Sequence, residues 1–96
     1  MDVLVVYDIA DTDEEGALRL RRIAQLCERY GHRVQKSVFE CRLSPTRVAR
    51  MTGEFQDVID PKRDSVIVYR FAGTINEARE CLGRPPAREV GQPWIM

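Results

Sequence analysis

The sequence has few of the residues that would build a metal or disulfide framework. Its three cysteines, Cys27, Cys41 and Cys81, are widely spaced without a C-x-x-C pair, and His32 is its single histidine. A structural zinc site needs four ligands at short spacings, and a disulfide framework uses an even number of cysteines. Both frameworks are therefore disfavoured. We expect Cys27 and Cys41 to be small apolar core residues.

Long apolar runs are also missing. The longest, Val3 to Tyr7, is far shorter than the roughly 20 residues that a membrane-spanning helix needs. The first residues do not follow the basic, apolar and small-residue order of a secretory signal peptide. The sequence therefore predicts a cytoplasmic protein. Its 96 residues, 44% of them hydrophobic, suffice for one domain with a modest core.

An excess of either charge is absent, because 15 Lys and Arg balance 15 Asp and Glu. The balance hides a segregation along the chain. Residues 2–15 carry six acidic side chains and no basic one, whereas residues 19–50 carry nine basic and two acidic ones, a net charge of +7 (nine minus two). All these bases except Lys36 are arginines, whose planar guanidinium suits bidentate contacts with phosphate. A nucleic-acid-binding surface and a solvated helix face explain this pattern equally well.

The first half of the chain predicts a strand followed by a helix. Val3 to Asp8 is apolar without alternation, which favours a central strand covered on both faces with Asp8 at its exposed end. Thr12 and Glu15 match a capping box, so a helix should begin there. Gly31 stands where helices often end in a left-handed residue. An apolar stripe at steps of three and four residues marks the buried face of this helix: Leu20, Ile23, Cys27 and Tyr30.

The second half predicts further strands and a second helix. Arg33 to Leu43 favours strand, but its apolar residues change parity near Gln35 to Ser37, where we expect a bend, a bulge or a tight hairpin. Ser44-Pro45 opens a helix, with serine as the cap and proline in the first turn. An apolar stripe at helical spacing marks its buried face: Val48, Met51, Phe55 and Ile59. Asp64 to Phe71 predicts another strand. Residues 74–82 fit a short helix or an edge strand.

This order of elements predicts an α+β fold. It suits a ferredoxin-like βαββαβ sandwich, an antiparallel sheet with both helices on one face, plus a C-terminal edge segment. We assign residues 1–82 to this domain and residues 83–96 to a tail. The tail ends in the apolar run Trp94 to Met96, which we expect to pack on a neighbouring surface such as another subunit.

Three blocks of sequence carry a family resemblance: VVYDI at residues 5–9, GHRVQKSVFE at residues 31–40 and DSVIVY at residues 64–69. Together they resemble the CRISPR-associated Cas-two family, over residues 1–71. The resemblance implies a symmetric homodimer that acts with the Cas-one integrase in spacer acquisition, bridging integrase dimers and holding a prespacer DNA duplex. It also implies an integrase subunit as a candidate surface for the tail. Members of the family have been described as metal-dependent endonucleases on RNA or DNA.

The resemblance implies a metal role for Asp8. In the family this aspartate faces its counterpart across the dimer axis, and the pair would bind Mg²⁺. A hard cation prefers oxygen ligands, polarises phosphate and lowers the pKa of a bound water. In an arbitrary protein, an aspartate at a strand end more often caps a turn or the following helix.

The same resemblance implies further site residues. Tyr7, Arg33, Ser37 and Phe39 fall with Asp8 at positions of the family's catalytic cleft, although Phe39 also suits the core. Arg33 is also a candidate for binding nucleic acid, together with two arginines of the first helix, Arg19 and Arg22.

Several functions remain open at this point. The first is a spacer-acquisition subunit that hydrolyses phosphodiesters with Mg²⁺ through paired Asp8 residues. The alternatives are a structural DNA-bridging subunit without nuclease activity and a toxin-like endoribonuclease of the same fold. A small-molecule-sensing domain also suits the fold, but it leaves the arginines and Asp8 unexplained.

Overall fold

The structure, a computed structural model, describes residues 1–85. Their secondary-structure elements are β1 (Asp2–Asp8), α1 (Glu14–Tyr30), β2 (His32–Gln35), β3 (Val38–Arg42), α2 (Pro45–Val58), β4 (Ser65–Arg70) and α3 (Ile75–Ala78). The strands form one antiparallel sheet in the order β2-β3-β1-β4. This order is the ferredoxin-like βαββαβ arrangement, and it confirms the predicted fold class.

Both long helices cover the same face of the sheet. Val3, Val5 and Tyr7 alternate along β1 and are at most 5% exposed. They belong to one buried cluster with Ile23 of α1 and Met51 of α2. Because alternate residues of a strand point to one face, this cluster places the core between that face and the two helices.

The opposite face of the sheet is open in the single chain, so the predicted burial of β1 on both faces is wrong for residues 1–85. Leu4 and Val6 are only half-buried. The residues of β4 that pair with them in register, Tyr69 and Ile67, are 51% and 45% exposed. An unbroken apolar strand indicates that both its faces avoid water, but it does not reveal whether a second chain is needed to cover one of them.

Two details at the ends of α1 differ from expectation. The N-terminal cap is Asp13 instead of Thr12, and its Oδ1 accepts a hydrogen bond from the Gly16 amide at 2.7 Å. Gly31 is extended, with φ −160°, because the chain passes directly into β2. Glycine is needed there because a Cβ would overlap the carbonyl oxygen of Glu40 in β3.

The predicted apolar stripes and the second helix start are confirmed. The stripe residues Ile23, Cys27 and Tyr30 of α1 are buried, and Leu20 packs partly buried against the core. In α2, Val48, Met51 and Phe55 are buried. The Ser44 hydroxyl accepts a hydrogen bond from the Arg47 amide at 3.2 Å, and Pro45 occupies the first turn. Serine and proline therefore start this helix as predicted.

The change of parity after Arg33 is resolved by a tight hairpin and a bulge together. Lys36 and Ser37 form the turn between β2 and β3. The register shifts between Arg33 and Gln35, which marks a bulge in β2. The bulge changes which face the residues of β2 point to, while Phe39 and Cys41 of β3 face the core.

The two core cysteines are inert thiols. Cys27 and Cys41 are fully buried, as predicted. Burial in apolar surroundings raises the pKa of each thiol to about 12, so neither is a thiolate at neutral pH.

After β4 the chain forms the short helix α3, and residues 72–85 add no fifth strand to the sheet. The helix is fixed to the start of β1, because the buried carboxylate of Asp2 accepts a hydrogen bond from the Ile75 amide at 2.8 Å. The predicted packing of Trp94 to Met96, like most of the predicted tail, lies outside the described residues. Within residues 1–85, no helix is long and apolar enough to cross a membrane.

Candidate functional site

Asp8 is the last residue of β1 and the most exposed part of that strand. It pairs in register with Ser65, the first residue of β4. It shares the open face of the sheet with Leu4 and Val6, because it follows them at steps of two. The predicted exposed carboxylate at the strand end is therefore present.

A groove of about 390 Å³ lies beside Asp8, between the start of α1 and the turn of the hairpin. It brings Asp8 together with Tyr7, Arg33 and Ser37, which are four of the five residues predicted for a catalytic cleft. These residues come from β1 and from the β2–β3 hairpin, which are adjacent only in the folded sheet.

Phe39, the fifth of those residues, lies beneath the groove. Its ring is fully buried and stacks with that of Tyr7, with 6.2 Å between ring centroids and 26° between ring planes. The guanidinium carbon of Arg33 lies 5.1 Å from the centroid of Phe39, a distance at which a cation is attracted to the ring face. Phe39 is therefore a core residue that supports Tyr7 and Arg33.

Tyr7 is a hydrogen-bond donor at neutral pH. Burial raises the pKa of its phenol above the usual value of 10.0, and the hydrogen bond with Arg33 opposes this effect only in part. The phenol donates to the carbonyl oxygen of Lys36 at 3.4 Å. The backbone amide of Tyr7 donates to the carbonyl oxygen of Ser37 at 3.1 Å. Tyr7 therefore fixes the hairpin turn beside Asp8.

Three basic residues line the groove: Arg21 on α1, Arg33 on β2 and Lys36 in the hairpin turn. Arg33 is close to Glu28, with 3.8 Å between Nη2 and Oε1, yet 46% of its side chain is exposed. An exposed ion pair at this distance is weak, so Arg33 can exchange it for another anion. The groove therefore presents positive charge on both walls around Asp8.

Arg19 and Arg22 lie elsewhere on α1. Arg19 forms an ion pair with Asp64, with 2.7 Å between Nε and Oδ2, and only 13% of its side chain is exposed. Arg22 is exposed, but it does not line the groove. Their predicted contacts with nucleic acid stay predictions, and the structure gives Arg19 an internal partner.

The sequence patterns predict no site role for Arg21, Lys36 or Asp64. A sequence signal for Arg21 was available, because it belongs to a set of residues at helical spacing. All four residues of the set line the same groove: Ala17, Leu20, Arg21 and Ala24. The two alanines leave space beside the arginine. No local pattern identifies Asp64, since its partners Ala10 and Arg19 lie at least 45 residues away in the chain.

The carboxylates of the groove fit a hard cation only in part. Asp8 and Asp11 are its acidic residues. Residues 1–85 contain no group of three or more histidine, cysteine, aspartate or glutamate side chains that could hold a metal ion. Mg²⁺ is commonly bound through one or two carboxylates while it keeps several waters. One chain thus offers oxygen ligands of the right chemistry in Asp8 and Asp11.

Known proteins are similar to this chain in sequence. A family model described as CRISPR associated protein Cas2 matches residues 1–77. The CRISPR-associated endonuclease Cas2 of Halalkalibacterium halodurans is 36% identical over 96 residues, covering 100% of both chains. The CRISPR-associated endoribonuclease Cas2 of Chlorobaculum tepidum is 45% identical over 97 residues, also covering 100% of both.

A solved structure of a Cas2 protein is also similar to this chain. The crystal structure of Streptococcus pyogenes Cas2 at pH 6.5 matches with a TM-score of 0.77 and 40% sequence identity, covering 86% of this chain and 100% of that chain. The matched fold, the exposed Asp8 and the blocks of sequence around it therefore lead to one conclusion. The chain belongs to the CRISPR-associated protein Cas2 family.

Proposed function

We propose that this chain is a spacer-acquisition subunit that binds nucleic acid as a homodimer with the Cas-one integrase, and that the groove beside Asp8 hydrolyses phosphodiesters with Mg²⁺. The observation that carries the proposal is the position of Asp8 at an exposed strand end, in a groove lined by Arg21, Arg33 and Lys36. Cationic side chains bind a phosphodiester backbone, and its metal-assisted hydrolysis needs an oxygen ligand for the metal beside them.

The basic residues would bind the substrate. Guanidinium groups form bidentate hydrogen bonds with phosphate oxygens, so Arg21 and Arg33 would hold a strand from two sides of the groove. The Ser37 hydroxyl, which lines the same groove, would donate a further hydrogen bond to a phosphate oxygen. Tyr7 would keep its proton and hold the turn in place.

Asp8 would act with its counterpart in a second chain. The two carboxylates would hold Mg²⁺, which supplies charge stabilisation at phosphate and a more acidic bound water. The half-buried Leu4 and Val6 and the exposed Ile67 and Tyr69 support a homodimer through the open face of the sheet. Asp8 lies on this face, so packing of two such faces about a two-fold axis would bring the two carboxylates towards each other.

A structural DNA-bridging subunit without nuclease activity is the second candidate. It is favoured by the absence, within residues 1–85, of a group of three or more metal-ligating side chains, since binding alone needs the basic residues and not the carboxylates. The names of the relatives include both endonuclease and endoribonuclease, so either DNA or RNA is a reasonable substrate to test. A cytoplasmic location stays a prediction of the sequence.

Substitution of Asp8 separates the two candidates. The Asp8→Asn variant should keep its melting temperature and its nucleic-acid affinity while losing Mg²⁺-dependent cleavage, because its exposed side chain carries no part of the core. Asp57→Asn, which changes an exposed aspartate of α2, is the matched control and should cleave like the wild type. Unchanged cleavage by Asp8→Asn would refute the proposed hydrolysis. Spacer acquisition that survives the substitution in cells would support the bridging role.

A further inference from the structure

Asp64 is a buried carboxylate that joins three separate segments of the chain. It directly precedes β4, and its side chain is 0% exposed. Oδ1 accepts hydrogen bonds from the Ala10 amide at 3.0 Å and from Arg19 Nη2 at 3.3 Å. Oδ2 accepts hydrogen bonds from Arg19 Nε at 2.7 Å and from the Asp60 amide at 2.8 Å. Four donors therefore hold one carboxylate.

These hydrogen bonds fix the peptide groups that follow Asp8. The amide of Ala10 donates to Asp64, and the carbonyl oxygen of Ala10 accepts a hydrogen bond from Arg19 Nη2 at 3.2 Å. On the other side of Asp8, the amide of Tyr7 donates to the hairpin turn. The backbone is thus anchored immediately before and two residues after the exposed carboxylate.

We propose that Asp64 and Arg19 are positioning residues for Asp8. They hold the chain that leaves β1 so that the carboxylate of Asp8 keeps a fixed place in the groove. This inference rests on the proposed function for its catalytic consequence, and it assigns Arg19 a role within the protein. Reacting groups need close control of position, because a displacement of about 1 Å can reduce a rate about a hundredfold.

A matched ion pair at the other end of β1 allows a positioning role to be separated from a merely structural one. Asp2 is buried and accepts hydrogen bonds from Arg42 Nε at 2.7 Å and Nη2 at 3.1 Å, and from the Ile75 amide. It thus resembles Asp64 in burial and in partners. Its carboxylate lies at the start of the strand that ends in Asp8.

The test compares Asp64→Asn and Arg19→Gln with the control Asp2→Asn. In either orientation, the amide of an asparagine at position 64 would direct its NH₂ at two donors. Two of the four donors therefore lose their acceptor, which weakens the anchor of the loop after Asp8 in an otherwise folded chain. Arg19→Gln removes the ion-pair partner of Asp64 and leaves the carboxylate in place. This variant tests the proposal if Asp64→Asn does not fold.

The first measurement is cleavage by the full chain at a temperature where every variant is folded. We expect Asp64→Asn and Arg19→Gln to lower kcat by about tenfold or more with KM changed less than about twofold, and Asp2→Asn to keep kcat. Equal losses of kcat in Asp64→Asn and Asp2→Asn would show a general structural effect and overturn the proposal. An unchanged kcat in both Asp64→Asn and Arg19→Gln would also overturn it.

The second measurement does not depend on cleavage. Hydrogen exchange followed by NMR should show the Ala10 amide exchanging about tenfold faster in Asp64→Asn, and unchanged in Asp2→Asn. If the wild type does not cleave nucleic acid, the proposed hydrolysis fails, and faster exchange at Ala10 still supports the anchoring of this loop. Unchanged exchange at Ala10 overturns the positioning role whether or not the wild type cleaves.

Discussion

Gly16 lies directly against the carbonyl oxygen of Ala10, so closely that a Cβ on Gly16 would overlap this oxygen and crowd Asp11. The first turn of α1 and the loop that follows Asp8 therefore share one close contact. The loop is held from one side by Asp64 and from the other by this glycine. The geometry of the candidate site thus depends on the packing of α1 against the end of β1.

Gly16→Ala should destabilise the protein. The added methyl group must displace the backbone of Ala10, and overpacking of this kind costs about 1–3 kcal/mol. Gly53→Ala is the matched control, because Gly53 lies within α2 and an added Cβ there would have no neighbouring atom within 4 Å. It should stabilise the protein by about 0.5–1 kcal/mol through helix propensity. Urea denaturation measures both free energies of unfolding, and a stabilised Gly16→Ala variant would contradict the close contact.

Acid should destabilise the protein through its two buried aspartates. The hydrogen bond from Arg42 lowers the pKa of Asp2. Burial raises the pKa of Asp64, but the hydrogen bonds from Arg19 and from the Asp60 and Ala10 amides outweigh burial and lower it overall. A pKa that is lower in the folded than in the unfolded state favours folding above the unfolded value, which is near 3.8.

Stability from these two groups should therefore be complete at neutral pH and lost as the pH falls below about 4 through their folded pKa values. Thermal melting between pH 7 and pH 2 measures this dependence. Asp64→Asn should be less stable at pH 7 and should lose less stability in acid than the wild type. An acid dependence equally steep in this variant would show that Asp64 does not contribute.

Arg21 should contribute more to nucleic-acid binding than its neighbour Arg22. Each phosphate contact that is lost reduces the slope of log K against log salt by about 0.9 for a duplex and about 0.7 for a single strand. Arg21→Gln should show this reduction, because Arg21 lines the groove. Arg22→Gln removes the same charge outside the groove and should change the slope less. Titrations at several salt concentrations measure it, and a larger effect of Arg22→Gln would favour the assignment made from the sequence.

The open face of the sheet should form the dimer contact. Ile67→Glu places a charge on this face, opposite Val6 of β1, and burial of an unpaired charge is strongly unfavourable. We therefore expect analytical ultracentrifugation to show a dimer for the wild type and a monomer for this variant. Leu18→Glu is the control, because Leu18 is 40% exposed on α1 and Ile67 is 45% exposed on β4. A dimeric Ile67→Glu variant, or a monomeric Leu18→Glu variant, would place the contact elsewhere.

The elements and their order follow from local sequence patterns. Hydrophobic spacing located the buried faces of α1 and α2, and the Ser44-Pro45 pair identified the start of α2. The change of parity near Gln35 located an irregularity, which the structure resolves as a hairpin and a bulge. Asp8 at an exposed strand end was also evident. These features depend on residues a few positions apart, whose relative directions are set by the helix or strand period.

Which charged residues share a site depends on packing between distant parts of the chain. Arg19, Arg21 and Arg22 are near neighbours in the sequence, yet successive helical residues point about 100° apart, so Arg19 meets Asp64 and Arg21 meets the groove. Asp64 acquires its role from Ala10 and Arg19, which are 54 and 45 residues away in the chain. The local helix or strand period indicates that a side chain points away from the core. Only the packing of β1, α1 and the β2–β3 hairpin determines what it meets there.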